Sequence, residues 1–311
     1  MKHLEDTPWF ICDPDDTNYC LYMDTDSVYL NAQPLAEHLY PEFNTLPEEK
    51  RDGVVEAIAL KYQDIITDYY GTLAKECFNV TEHRLEMKTE AVIRAAYFRA
   101  TRRYAQWITK QEGISKETLD IKGLEFQKSN FPPILGEFFN DILQQVLKGK
   151  GKPSILEQIK VFKGQILDGT IPLVKLGNPS AVKKLEKYTG KSSRAGEMFT
   201  EILKGAPAPV RAAIRYNDLL KLWGLDKQHN YITMADKVKF IYLKDNAYKI
   251  EAIAFQPHDV PEKINDFINI YADRQKIFDS ILLNKLTGFF SDLGWSLDLN
   301  PHVNALTYFE I

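Results

Sequence analysis

The stretch Tyr19-Cys20-Leu21-Tyr22-Met23-Asp24-Thr25-Asp26-Ser27-Val28-Tyr29-Leu30 decides how the rest of the chain reads. Apolar and aromatic residues run up to a four-residue polar patch, Asp24 to Ser27, and resume directly behind it. Two β-rich runs broken by a short polar turn predict a strand–turn–strand hairpin. Side chains two apart on a strand share a face, so the carboxylates of Asp24 and Asp26 are expected side by side. Such a pair repels itself unless a cation or a hydrogen-bond donor lies between, and hard oxygen ligands favour Mg²⁺ or Mn²⁺. The plain alternative is an acidic hairpin turn that holds nothing.

Working outward, the 311 residues suffice for a sizeable core and two domains. No apolar run approaches the roughly 18 residues of a membrane span, and no secretory leader is evident. A cytoplasmic protein is therefore expected, with Cys12, Cys20 and Cys77 as reduced thiols, since their number is odd and no Cys-x-x-Cys spacing occurs. The net charge of −4 hides an asymmetry: −12 over residues 1–83, +5 over 84–152, +8 over 153–249 and −5 over 250–311. An acidic head followed by a basic middle suits a metal site beside a track for a polyanion, although charge blocks are often plain solvated surface.

After the hairpin, Pro34, Pro41 and Pro47 predict a loop with a short helix at most. From Pro47 to about Phe78, behind an acidic first turn at Glu48 and Glu49, Val54, Val55, Ile58, Leu60–Tyr62, Ile65, Ile66, Tyr69, Tyr70 and Leu73 recur at helical spacing, and this aromatic-rich stripe is expected to be core. Val80–Met87 and Ala91–Ile108 are β-prone and studded with arginines. Within them, Thr101-Arg102-Arg103-Tyr104-Ala105 places adjacent cations before an aromatic, a composition suited to phosphate contacts or to a solvated basic turn. Helices are expected over 134–147, 155–167 and 181–188 and a long one over 263–286, with strands over 239–243 and 249–255 joined by a turn at Asp245-Asn246. Gly190-Lys191-Ser192 is no nucleotide-binding loop, because Leu185 stands where that motif needs its first glycine.

Tyr22-Met23-Asp24-Thr25-Asp26-Ser27, with strands on both sides, resembles the third polymerase motif of family B DNA polymerases, Tyr-Gly-Asp-Thr-Asp-Ser, with Met23 in place of the usual glycine. Thr101-Arg102-Arg103-Tyr104-Ala105 is similar to the Lys-Lys-Arg-Tyr-Ala segment with which the palm of that family touches the primer–template duplex, one charge being lost at Thr101. Leu85-Glu86-Met87 resembles the run ahead of that segment. Lys122-Gly123-Leu124-Glu125, followed by Gln127-Lys128-Ser129 and Pro132-Pro133, resembles the passage from palm to thumb, in a version close to that of T-even-type bacteriophages. Pro209 to Asn217 resembles a segment of the phage thumb, with Arg211 and Arg215 one helical turn apart.

The resemblance keeps family order along nearly the whole chain and implies the C-terminal part of such a polymerase. The fold expected is α+β: half of a palm over residues 1–125, built on an antiparallel hairpin sheet with helices, then a mainly helical thumb with a small β element over 126–311. The implied chemistry is attack of a primer 3′-hydroxyl on the α-phosphate of a dNTP, assisted by two Mg²⁺ ions, Mn²⁺ being possible in their place. By resemblance Asp26 bridges the metals and Asp24 is its catalytic neighbour. Arg102, Arg103, Tyr104, Lys122, Lys128, Arg211 and Arg215 are the implied DNA contacts. The tail residues Leu306, Tyr308 and Phe309 suit docking to a sliding clamp or packing on the thumb. Neither the first polymerase motif, nor the fingers helix, nor an Asp-x-Glu exonuclease motif occurs, so a second polypeptide carrying them is the expected partner. A non-catalytic DNA-binding or clamp-docking fragment is the alternative. A glycosyltransferase, the third reading, has only its Asp-x-Asp in favour.

Overall fold

Alternation of half-buried and exposed residues through Cys20-Leu21-Tyr22-Met23-Asp24 sets one face of a strand inward, and the chain does form a hairpin there. The computed structural model describes residues 19–190 and 199–299. Strand β1, Cys20–Asp24, pairs antiparallel with β2, Ser27–Leu30, with Asp24 opposite Ser27 and Thr25-Asp26 as the two-residue turn. Inward go Tyr22 and Asp24, while Leu21 and Met23 remain exposed.

The chain divides into two compact units, one ending at Gly123 and the other beginning at Leu124. In the first, helix α1, Gln33–Leu39, and the turn Phe43–Thr45 lay Leu35, Ala36 and Phe43 against Ile58 of helix α2, Glu48–Phe78. Glu48 and Glu49 face the positive helix end in the first turn, and Asn79, at φ 52°, closes α2 in the left-handed region. At 1.5 Å per residue α2 is about 46 Å long. Its stripe departs in part from the expectation of a core: Leu60 is 47% and Tyr69 58% exposed, as is Phe78 at its end. The small α1 layer covers only the first half of so long a helix.

Residues 79–90 form no strand despite their β-prone composition. The segment runs beside α2 and gives its amides to helix side chains instead, Met87 N–H to Thr67 Oγ1 (3.2 Å) and Thr89 N–H to Gln63 Oε1 (2.7 Å). Strands β3, Ala91–Ala100, β4, Arg103–Gln111, and β5, Ile114–Lys122, then make an antiparallel meander with β4 in the middle. The run Ala105–Thr109 of β4 is buried, as a central strand requires. Glu112 and Gly113 both take positive φ (51° and 78°), the backbone that closes a two-residue hairpin with the twist of its strands. Ion pairs hold α2 to this sheet: Arg94 with Glu48 (2.6 Å) and Asp52 (2.7 Å), and Lys110 with Glu56 (2.6 Å).

The second unit is helical around a small sheet. Helices α3, Pro133–Leu147, and α4, Lys152–Leu167, bury Leu135, Ile142, Leu143, Ile155 and Ile159, and Phe138 stacks on Phe162 with ring centroids 3.8 Å apart. Strands β6, Asn178–Ala181, β7, Lys237–Tyr242, and β8, Ala252–Phe255, form an antiparallel sheet in that order, and helix α5, Ala208–Leu222, packs on β8. The loop between β7 and β8 folds around buried Asn246, whose carboxamide bonds the carbonyls of Lys244 and Ile250 and the amides of Tyr248 and Ile250.

Two expectations fail here. Residues 181–188 hold the end of β6 and a single helical turn, Leu185–Tyr188, because the first residues pair with β7. The long helix over 263–286 is broken into α6, Glu262–Tyr271, a turn of helix at Arg274–Ile277, a π-helical turn at Phe278–Leu283, and α7, Asn284–Asp292. Between the first two pieces, Ala272 bridges to Leu243, the amide of Asp273 bonds the Tyr242 carbonyl, and the Asp273 side chain caps the next turn through Lys276 N–H. Pairing at the end of β7 outweighs the helical spacing. The architecture is α+β with small antiparallel sheets. Among the described residues no helix is long and apolar enough to cross a membrane.

Candidate functional site

The hairpin sits on the β3–β4 sheet through four aromatic rings. Tyr22, Tyr29, Phe98 and Tyr104 contact one another in every pairing, with centroids 5.5–5.8 Å apart. Tyr22 and Tyr29 face each other across the hairpin, and Phe98 and Tyr104 across the sheet, so strand pairing on both sides sets all four rings. Tyr29 donates its hydroxyl proton to Tyr104 Oη at 3.1 Å. Burial first, and that hydrogen bond second, push the Tyr29 hydroxyl pKa well above the usual phenol range. Beside the cluster, buried Gln106 donates to Asp120 at 2.9 Å.

This docking brings the acidic turn against the basic one. Arg102 sits in the β3–β4 turn at φ 60°, its backbone N–H donating to Tyr22 Oη (3.0 Å). Its guanidinium forks onto Asp24, Nε to Oδ2 at 2.9 Å and Nη2 to Oδ1 at 3.1 Å. Thr25 Oγ1 and Tyr22 Oη add longer contacts to the same carboxylate, at 3.2 and 3.4 Å. The Arg102 hydrogen bond, more than any other influence, holds the Asp24 carboxyl below its usual range, and Asp24 raises Arg102 in return. Gly123, at φ 63°, lies directly behind: a Cβ there would stand 2.1 Å from the Arg102 carbonyl oxygen, so only glycine lets β5 pass this turn.

Asp26 has a different setting. It is exposed in the turn rather than on the strand, so strand alternation does not bring it beside Asp24. Its amide donates to the Asp24 carbonyl at 2.7 Å over Thr25, which takes φ 59°. Among the described residues its carboxylate has no hydrogen-bond or ion-pair partner. One carboxylate of the turn is thus neutralised and the other is open. Among the described residues no group of three or more His, Cys, Asp or Glu is arranged to hold a metal ion. A divalent ion of the magnesium type takes about six oxygens. The donors present therefore fit part of such a site, the remainder to come from water, phosphate oxygens or another chain.

Neither a scan against protein-family models nor a search of curated proteins finds a match.

The remaining expected DNA contacts divide between the two units. Arg103 opens β4 exposed and, among the described residues, unpaired. Lys122, opposite Tyr104 on β5, reaches Asp120 at 3.6 Å. Tyr104 is committed to the ring cluster. In the second unit Lys128 is exposed at the end of the short turn Glu125–Gln127. Arg211 and Arg215 lie on α5, and each has protein partners: Arg211 the Ala206 carbonyl (2.9 Å) and Glu251 (3.7 Å), Arg215 the Thr200 carbonyl (2.8 Å) and Asp218 (2.6 Å). Leu306, Tyr308 and Phe309 fall outside the described residues. Sequence reading missed Tyr29 and Phe98 as members of the site. Their signal is an aromatic at an inward position on each of two predicted strands, which acquires meaning only once the strands are known to face each other.

Proposed function

We propose that the chain is the C-terminal subunit of a split family B DNA-directed DNA polymerase. It supplies the acidic hairpin of the palm from the first unit and a DNA-gripping thumb from the second. The observation that carries this reading is the contact between Asp24 and Arg102, 78 residues apart in sequence, which joins the metal-type turn to the phosphate-type segment. Supporting it are the hairpin itself, the order of the motifs along the chain, and a unit boundary at the Lys122-Gly123-Leu124-Glu125 passage.

The residues divide the work as follows. Arg102 spends Nε and one Nη2 proton on Asp24 and keeps three N–H donors, enough to hold a primer phosphate without leaving the turn. Its charge offsets that of Asp24, which lowers the repulsion Asp26 would feel and leaves Asp26 as the open ligand. Arg103 adds a second, sequence-blind phosphate contact. Divalent ions, when bound, would supply Lewis-acid stabilisation of the attacking and leaving oxygens. The other carboxylate needed, with the fingers, comes from the partner polypeptide.

The engagement of both Asp24 oxygens by Arg102 favours one competing reading, a fragment that binds DNA and performs no chemistry. Primer extension by the chain reconstituted with its partner, with and without Mg²⁺, separates the two. Metal-dependent extension supports the polymerase reading, and tight duplex binding without extension supports the other.

A further inference from the structure

The second unit holds a cavity of about 290 Å³ that the polymerase reading does not use. Its wall is mixed, and Leu173, Ile241, Phe255 and Ile268, all nearly inaccessible to solvent, are among its apolar members. Arg274 also lines it and is anchored by one nitrogen, Nη1 donating to the carbonyls of Ile166 (2.9 Å) and Ile171 (3.1 Å). The three N–H groups on Nε and Nη2 have no partner among the described residues. Gly169, at φ 93°, lies directly against this guanidinium, where a Cβ would stand 3.6 Å from Nη2. At the rim stand Asn265 and Asn269, one turn apart on α6, whose carboxamides likewise have no hydrogen-bond partner among the described residues.

We propose that this cavity binds a small monocarboxylic acid with an aliphatic or aromatic body. A planar guanidinium fork matches a carboxylate with two parallel hydrogen bonds. The two carboxamides accept and donate around it, while the wall takes the hydrocarbon. Burial lowers the pKa of Arg274, so its charge is under-solvated and gains from an anion. Asp168 also acts on the same guanidinium electrostatically, so an acidic neighbour is already present and a monoanion meets less repulsion there than a dianionic phosphate.

The test is titration of the full chain with hexanoate, hexanamide and inorganic phosphate at constant ionic strength, read by amide chemical shifts and calorimetry. Hexanoate is expected to bind saturably, at least about tenfold more tightly than hexanamide, with shifts at Gly169, Asn265 and Arg274. Arg274→Lys should weaken it, and Asn265→Leu, at a half-exposed helical residue whose side chain has no hydrogen-bond partner among the described residues, should weaken it while keeping the fold. If the lysine variant loses the fold with its two carbonyl contacts, the leucine variant carries the test alone. No saturation by about 10 mM hexanoate, equal affinity for hexanamide, tighter phosphate binding, or indifference to Asn265→Leu would each overturn the assignment.

Discussion

Asp24 and Asp26 are chemically alike and two residues apart, yet their settings differ: one is gripped by a guanidinium and the other faces solvent. Under the polymerase reading, Asp26→Ala should abolish primer extension by the reconstituted enzyme and leave duplex affinity nearly unchanged. Activity within about tenfold of wild type would sink the metal-ligand role of Asp26. Asp24 makes a prediction about pH. Its folded-state pKa is depressed, so the stability it contributes is present above the ordinary carboxylate value of 3.8 and is lost as pH falls through the depressed one. The Tyr22 and Tyr104 ring resonances should therefore report loosening of the hairpin only in that acid range, and Arg102→Ala should move the Asp24 titration upward. Replacing Arg102 and Arg103 together by alanine should weaken duplex binding for all sequences alike and flatten its dependence on salt. An unchanged salt slope would return both arginines to ordinary surface.

At the level of elements, the hairpin is two short strands, a structure that is marginal in water unless something covers it. The four-ring cluster provides the cover. Removing half-buried Phe98 as Phe98→Ala should cost about 2 kcal/mol, less than for a fully buried ring, and should release the hairpin from the sheet. Tyr29→Phe should cost about 1 kcal/mol through the lost hydroxyl pair, and combining it with Tyr104→Phe should cost less than the sum of the two. Chemical denaturation of the three variants gives these values, and strict additivity would mean that the hydroxyls act independently. The break between α6 and the Arg274–Ile277 turn follows the same logic, because the Asp273 cap and the Leu243 bridge compete with helix continuation and win.

For the whole molecule, the polymerase reading makes the first unit the part that needs a partner. Leu21 and Met23 lie exposed on the outer hairpin face, the second half of α2 leaves Tyr69 and Phe78 in solvent, and residues 1–83 carry a charge of −12. Under that reading, these exposed apolar groups and the acidic composition suit a large, obligate interface with a basic partner, above roughly 2,000 Å² in total. The purified 311-residue chain with Mg²⁺ and dNTPs should therefore show no primer extension, and activity should appear on adding a chain that supplies the missing carboxylate and fingers. Robust extension without any second polypeptide would mean that the active site is complete within this chain.

By itself the sequence determined the elements whose signals are local. The hairpin followed from aromatic runs on either side of four polar residues, α2 from its 3.6-residue period and acidic first turn, and the helix over 133–147 from amphipathic spacing behind a proline pair. Only the tertiary structure decided what those elements meet. Residues 79–90 have strand composition but reach no free sheet edge, and the helical spacing over 263–286 is interrupted by pairing with the end of β7. The same holds at the site: the two acids and the two arginines are legible in sequence, whereas the fork of Arg102 on Asp24 is not. A period records which face of an element is apolar, and a motif records which groups are present. Neither encodes contacts between residues 78 positions apart, which arise when strand pairing and four packed rings bring two turns together.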